Sequence, residues 1–325
     1  MKEMLLRLGL NEDDIDATQI FMKHTWARSE KLFKSNRRFV HYTSADTAIK
    51  IFRTSQVWAR NATCMNDFAE LDYGFNCLKK TLTKHGDLFE STFDTIFPGF
   101  KKKLIEKFDD WLPHFRSETY ITCLSEHLAE ENELGRLSMW RAYGGSSGVA
   151  LVVNPLPLLS PSDALGAYAS PVAYLSLEEF EEKFLELLKD VSANGELIQR
   201  LGETACHSFM FEAFRFALVC TKHPGFHEER EWRAVHSRTF NRTDRIKMDV
   251  ETVGGIPQKV CKIPLEDYPD EGLFGITIDK FLSRVIVGPS EYPDEVRSAL
   301  VDVLDRLGVP EASTKVVISD IPLRT

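Results

Sequence analysis

The sequence predicts an α+β fold, a mainly antiparallel β core with inserted and flanking helices, and three observations predict it. Short apolar runs of strand length recur, among them F-V-H-Y-T-S at 39–44, Y-I-T-C-L-S at 120–125, G-V-A-L-V-V at 148–153 and R-V-I-V-G-P at 284–289. Long stretches with helical spacing of apolar residues interrupt them near 68–111 and 177–222. Strands and helices therefore come in groups, which is the α+β pattern. The expected organisation is an N-terminal helical segment, 1–38, followed by a single α+β domain, 39–325, that carries the two helical insertions.

In order along the chain, Asn11 is a helix cap, with Glu12, Asp13 and Asp14 at the positive helix end and Ile15, Ile20, Phe21 and Trp26 as spaced apolar positions. After the strand 39–44, Ser44 caps a helix over A-D-T-A-I-K-I-F-R-T. Q-V-W-A-R-N follows as a strand. Asn66-Asp67 precedes a helix from about 68 to 84, and a second, rich in Phe and Lys, covers about 88–111. R-L-S-M-W-R-A-Y is a short helix stopped by Gly144-Gly145 ahead of the fully apolar strand 148–153. The stretch 177–222 is helical with a break near Asn194-Gly195. R-E-W-R-A-V-H, V-C-K-I-P and R-V-I-V-G-P are strands, 292–307 is a helix, and K-V-V-I-S is the last strand.

Bulk properties exclude several classes. The chain has 325 residues, 43% hydrophobic and 27% charged, as in an ordinary globular protein, and a net charge of −9 with no global basic excess to attract nucleic acid. No apolar stretch reaches membrane-span length. Cys64, Cys77, Cys123, Cys206, Cys220 and Cys261 are scattered without C-x-x-C pairing, the usage of reduced thiols in a cytoplasmic protein. There is no P-loop. G-G-S-S-G at 144–148 matches the letters of a nucleophile elbow, but that device needs a strand before and a helix after, and here the order is reversed. His223 and His227 have helical metal-ligand spacing, but Pro224-Gly225 between them opposes a helix, and no metal is expected.

What remains is a set of polar residues at strand ends: His41, Tyr42 and Thr43; Asn66 and Asp67; Ser125; Trp140, Arg141 and Tyr143; and Glu229, Glu231 and Arg233. In H-E-E-R-E-W-R-A-V-H-S (227–237), strand alternation puts Glu229, Glu231 and Arg233 on one face and Trp232 on the other. Either the carboxylates are paired with arginines in a charge ladder, or they are aimed into a cleft.

The ordered blocks H-Y-T-S, N-D-x-x-E, C-L-S-E, M-W-R-A-Y-G, E-x-E-W-R and V-I-V-G-P resemble a family of bacterial proteins known only as a domain of unknown function, over residues 39–325. The opening, a histidine-bearing strand, a helix and a second strand, and the late E-x-E strand resemble the ADP-ribosyltransferase superfamily. That resemblance implies NAD as substrate and ADP-ribose transfer to a macromolecular acceptor, protein or nucleic acid, without a metal. It implies a toxin or anti-phage defence effector, with a regulatory or antitoxin partner. Glu231 would steady the oxocarbenium-like transition state and Glu229 would orient the acceptor. His41 would bind a ribose, and Tyr42 or Tyr143 would stack on nicotinamide. Thr43, Asn66, Asp67, Ser125, Trp140, Arg141 and Arg233 complete the expected cofactor-binding set. The superfamily's usual middle block is absent, with Ser125 and Tyr143 as its only candidates. A non-catalytic nucleotide-sensing or protein-interaction module of the same fold is the alternative. A metal-dependent nuclease or phosphodiesterase built on His41, Asp67 and Glu231 is a third reading.

Overall fold

The structure is a computed structural model that describes all residues except 36, 65–69, 254 and 324–325. Its strands are β1 (Arg38–Ser44), β2 (Gln56–Asn61), β3 (Thr119–His127), β4 (Ser147–Val153), β5 (Ala167–Pro171), β6 (Ala173–Tyr174), β7 (Thr221–Lys222), β8 (Glu231–Ser237), β9 (Lys247–Val253), β10 (Ile256–Pro264), β11 (Leu282–Ser290) and β12 (Val316–Ile318). The longer helices are α1 (Glu12–Phe21), α2 (Lys23–Lys34), α3 (Ala45–Thr54), α4 (Glu70–Asp94), α5 (Phe100–Ser117), α6 (Leu177–Ala193), α7 (Gly195–Val219) and α8 (Pro293–Arg306). Among the described residues, no helix is long and apolar enough to cross a membrane.

Two compact units result, assembled differently from the division at residue 38 that the sequence suggests. One unit combines residues 1–33, 62–119 and 170–227; the other combines 34–61, 120–169 and 228–325. The reason is apolar surface: α1, α4, α5, α6 and α7 each present a one-sided stripe, and these stripes are buried against one another. A phenylalanine cluster fills the helical unit's centre. Phe93 stacks on Phe100 at 4.3 Å, and Phe108 meets Phe214 edge-on at 5.6 Å. α4 has a non-helical residue at His85 (φ −114°), where the sequence places a break, and it ends at Asp94; the turn 95–99, with Pro98 and the left-handed Gly99 (φ 77°), then separates it from α5. The break between α6 and α7 falls at Asn194, as the sequence indicates.

The second unit is built on one sheet in the order β12-β11-β4-β1-β3-β2-β10-β9, with β8 on β3 and β5 on β8. β1 pairs antiparallel with β3 and β4, β2 with β3 and β10, and β4 with β11; β11 and β12 run parallel. β4 is buried from Gly148 to Val153, which explains its unbroken apolar run. Ser44 caps α3, its hydroxyl accepting from the Thr47 N–H at 3.2 Å. The glycine turn before β4 serves backbone approach: a Cβ on Gly148 would sit 2.4 Å from Gly144 Cα. β9 was not expected from the sequence, since K-M-D-V-E-T-V is polar and lacks a buried face.

Candidate functional site

The two faces of the sheet around β1, β3 and β8 separate the expected site residues. Phe39 meets the buried Trp232 ring at 5.1 Å, and the Trp232 indole N–H donates to Glu126 Oε1 at 3.0 Å. Arg37 donates to the other Glu126 oxygen at 2.5 Å. His41 lies two residues from Phe39 on β1 and so shares that face. Its Nδ1 lies 2.8 Å from the Cys123 carbonyl. Burial holds the His41 imidazole below its ordinary pKa, and the Cys123 contact only partly opposes this.

Glu231 and Arg233 alternate with Trp232 and point away from it. They are 7% and 2% exposed and form a two-pronged pair, Arg233 Nε to Glu231 Oε1 at 2.9 Å and Nη2 to Oε2 at 3.2 Å. Both oxygens of the expected catalytic carboxylate therefore accept from a guanidinium on its own strand.

Glu229 does not share that strand face, contrary to the alternation read from the sequence. β8 begins at Glu231; Glu229 ends the short turn Pro224–Glu229, and Arg230 between them is left-handed, at φ 46°. A bulky residue rarely adopts that conformation without being held there. The holding group is Arg136. Its guanidinium donates to the carbonyls of Glu228 (2.7 Å), Glu229 (3.3 Å) and Glu126 (2.7 Å), to Ser125 Oγ (3.1 Å) and to Glu131 Oε1 (3.1 Å). Ser125 Oγ donates in turn to the Glu229 carbonyl, and Arg230 donates to Glu131 Oε1. Burial alone would raise the Glu131 carboxyl, but Arg136, the Leu128 N–H and Arg230 outweigh it and hold it below the usual range.

The same segment seats the aromatic residues. Tyr42 Oη accepts from the Arg136 backbone N–H at 2.8 Å, and burial pushes its hydroxyl up to about 12. Trp140 is 2% exposed, meets Tyr42 edge-on at 4.8 Å, and donates from Nε1 to the Leu134 carbonyl at 2.8 Å. It fills a slot that a Cβ on Gly288 would close, at 2.8 Å from the indole. The helix begun at Leu137 widens into a π-type turn over Trp140–Gly144 and leaves Tyr143 exposed, its hydroxyl 3.4 Å from Glu229 Oε1.

The structure thus brings together Tyr42, Ser125, Trp140, Tyr143 and Glu229 around Arg136. It sets His41 on the opposite face and ties Glu231 to Arg233. Arg141 is exposed and Thr43 half-buried. Asn66 and Asp67 lie outside the described residues. Glu126, His127, Glu131 and Arg136 were missed from the sequence. Glu126 closes the quoted block C-L-S-E, and Arg136 has no local signal, because its partners lie 5 to 93 positions away along the chain.

One prediction arises from two histidines, the buried His127 and the half-buried His41. His127 is 1% exposed, with Nε2 3.0 Å from Asn132 Oδ1 and Nδ1 3.7 Å from Glu131 Oε2. Burial holds it, like His41, below the ordinary 6.5. In the window below 6.5 the unfolded chain binds protons that the folded chain refuses. Stability is thus full above that pH and falls as pH drops toward the folded values. Glu131, also depressed, adds a second loss only below its ordinary 4.5. Urea midpoints measured from pH 8 to pH 4 are expected to fall first below 6.5, and His127→Gln is expected to flatten part of that first fall.

One protein family matches the chain, described as "Protein of unknown function (DUF2971)", over residues 139–234, under a third of the chain. The matched stretch runs from Met139, beside Trp140, to Ala234 on β8, so it includes Tyr143 and the E-x-E-W-R segment. This supports an uncharacterised domain family as the class to which that stretch is similar. No curated protein and no solved structure matches the chain.

Proposed function

We propose that the sheet unit is a non-catalytic binding module, which meets a macromolecular partner through the surface that presents Tyr143 and Glu229. The observation that supports this reading is the buried pair of Glu231 with Arg233. A carboxylate whose two oxygens already accept from a guanidinium is a poor stabiliser of a developing oxocarbenium charge, since its negative potential is spent before substrate arrives. The placement of His41 and Glu231 on opposite faces of the sheet weighs against the ribose contact that the transferase reading needs, and equally against a nuclease site that joins them.

A second reading has its own observation. The left-handed Arg230, pinned by Arg136, holds Glu229 beside Tyr143 at the surface. Strained backbone next to an accessible carboxylate is a feature of functional sites. On this reading the chain transfers ADP-ribose from NAD to a macromolecule, as a toxin or defence effector would, with Glu229 rather than Glu231 as the working carboxylate.

The test is nicotinamide release from NAD, with cell lysate and nucleic acid present, for wild type, Glu229→Gln and Glu231→Gln. No release from wild type is expected. Release that Glu229→Gln abolishes and Glu231→Gln spares moves the assignment to the second reading. Release abolished by Glu231→Gln, in a variant shown to be folded, overturns both.

A further inference from the structure

The helical unit holds a cavity of about 380 Å³, within the size range of small-molecule sites. Its walls come from the α1–α2 junction, from residues 170–175 and from α6 and α7, and Phe21, Phe180, Leu187, Phe214 and Ala217 are among its apolar lining. We propose that this cavity binds an uncharged, largely apolar molecule carrying one hydrogen-bonding group. The proposal does not depend on the function of the sheet unit.

Size comes first. An apolar cavity of about 150 Å³ takes benzene, so this one suits a molecule of roughly ten to fifteen non-hydrogen atoms. The charge of the occupant follows from the rim. Lys23 Nζ lies 2.7 Å from both Glu186 and Asp190, and Lys183 Nζ lies 2.9 Å from Glu186. Two cations face two anions, and each already has an opposite partner. The two lysines hold the Glu186 carboxyl down at about 2, so it stays ionised at neutral pH. A charged headgroup must therefore displace a formed ion pair or face a like charge, and an uncharged one does neither. The other polar residues that line it include His24, the buried Thr221 and a hydroxyl pair, Thr25 Oγ1 and Ser170 Oγ at 3.2 Å, with Ser170 only 2% exposed. A hydroxyl has one donor and two acceptor sites, so the pair retains capacity for a ligand hydroxyl or carbonyl.

The full-length chain would be titrated calorimetrically with decan-1-ol, decanoate and decylamine, each below its micelle concentration. One saturable site for decan-1-ol is expected, with decanoate and decylamine bound at least about tenfold more weakly because each must desolvate a charge beside formed ion pairs. Leu187→Trp, which fills the cavity, is expected to abolish binding while leaving the circular dichroism spectrum unchanged. If that variant fails to fold, the smaller filling Ala217→Leu decides. Absence of saturable decan-1-ol binding overturns the proposal. So does tighter binding of either charged probe, or binding unchanged in a folded filled variant.

Discussion

Arg136→Ala is expected to remove about 3–5 kcal/mol of folding stability, the cost of breaking a buried ion pair by deleting one partner. The estimate is large because the side chain does several things at once. It is 11% exposed and donates to three backbone carbonyls, to Ser125 and to Glu131, which is equally buried. Without it, the Glu126 carbonyl loses this donor away from water, the Glu229 carbonyl retains Ser125 Oγ, and Glu131 retains Arg230 and the Leu128 N–H. Arg136→Lys is expected to recover little, since a point charge on a flexible stem cannot reproduce a planar fork that serves five acceptors. The check is a urea midpoint measured at constant m-value, with amide exchange over 226–232 as a local readout. Exchange protection there should collapse in the variant, because the left-handed turn at Arg230 has lost its clamp. A loss under 1 kcal/mol with that turn still protected would show that the network is redundant.

The second large effect concerns Glu231 and Arg233. Glu231→Gln leaves a guanidinium that is 2% exposed without its carboxylate, again at about 3–5 kcal/mol. The double replacement Glu231→Leu with Arg233→Met is expected to recover most of that loss, because the desolvation cost of both charges disappears with them. A double-mutant cycle of denaturant midpoints measures the coupling. This outcome bears on function as well. A loss of activity in Glu231→Gln means nothing until the variant is shown to be folded, whereas Glu229→Gln, at a half-buried position, is expected to fold normally and so reports on chemistry alone.

Much of the fold is legible in the sequence because it follows local rules. β1, β2, β3, β4, β11 and α3 come straight from apolar period and capping residues, and the break at Asn194 from turn chemistry. β9 went unread because K-M-D-V-E-T-V, although Met248 and Val250 alternate with Lys247, Asp249 and Glu251, has no run of consecutive apolar residues, as suits an edge strand. The start of β8 was misplaced because E-x-E continues the strand's alternation in letters, while the backbone turns at Arg230.

The division into two units was also out of reach, and for a similar reason. An amphipathic stripe announces that a helix is buried but not against what. The segment 1–33 joins 62–119 and 170–227 only because those particular faces fit.

By itself, then, the sequence determined an α+β protein with a mostly antiparallel sheet, and it named the stretch around Trp140 and E-x-E-W-R as distinctive. Tertiary structure alone decided that Glu231 is neutralised by Arg233, that His41 faces the other way, and that Arg136 pins Glu229 beside Tyr143. The physical reason is that a residue's type sets what it can pair with, while burial and sheet face set what it does pair with. Those depend on register and on partners as far apart as Arg136 and Glu229, which no local pattern encodes.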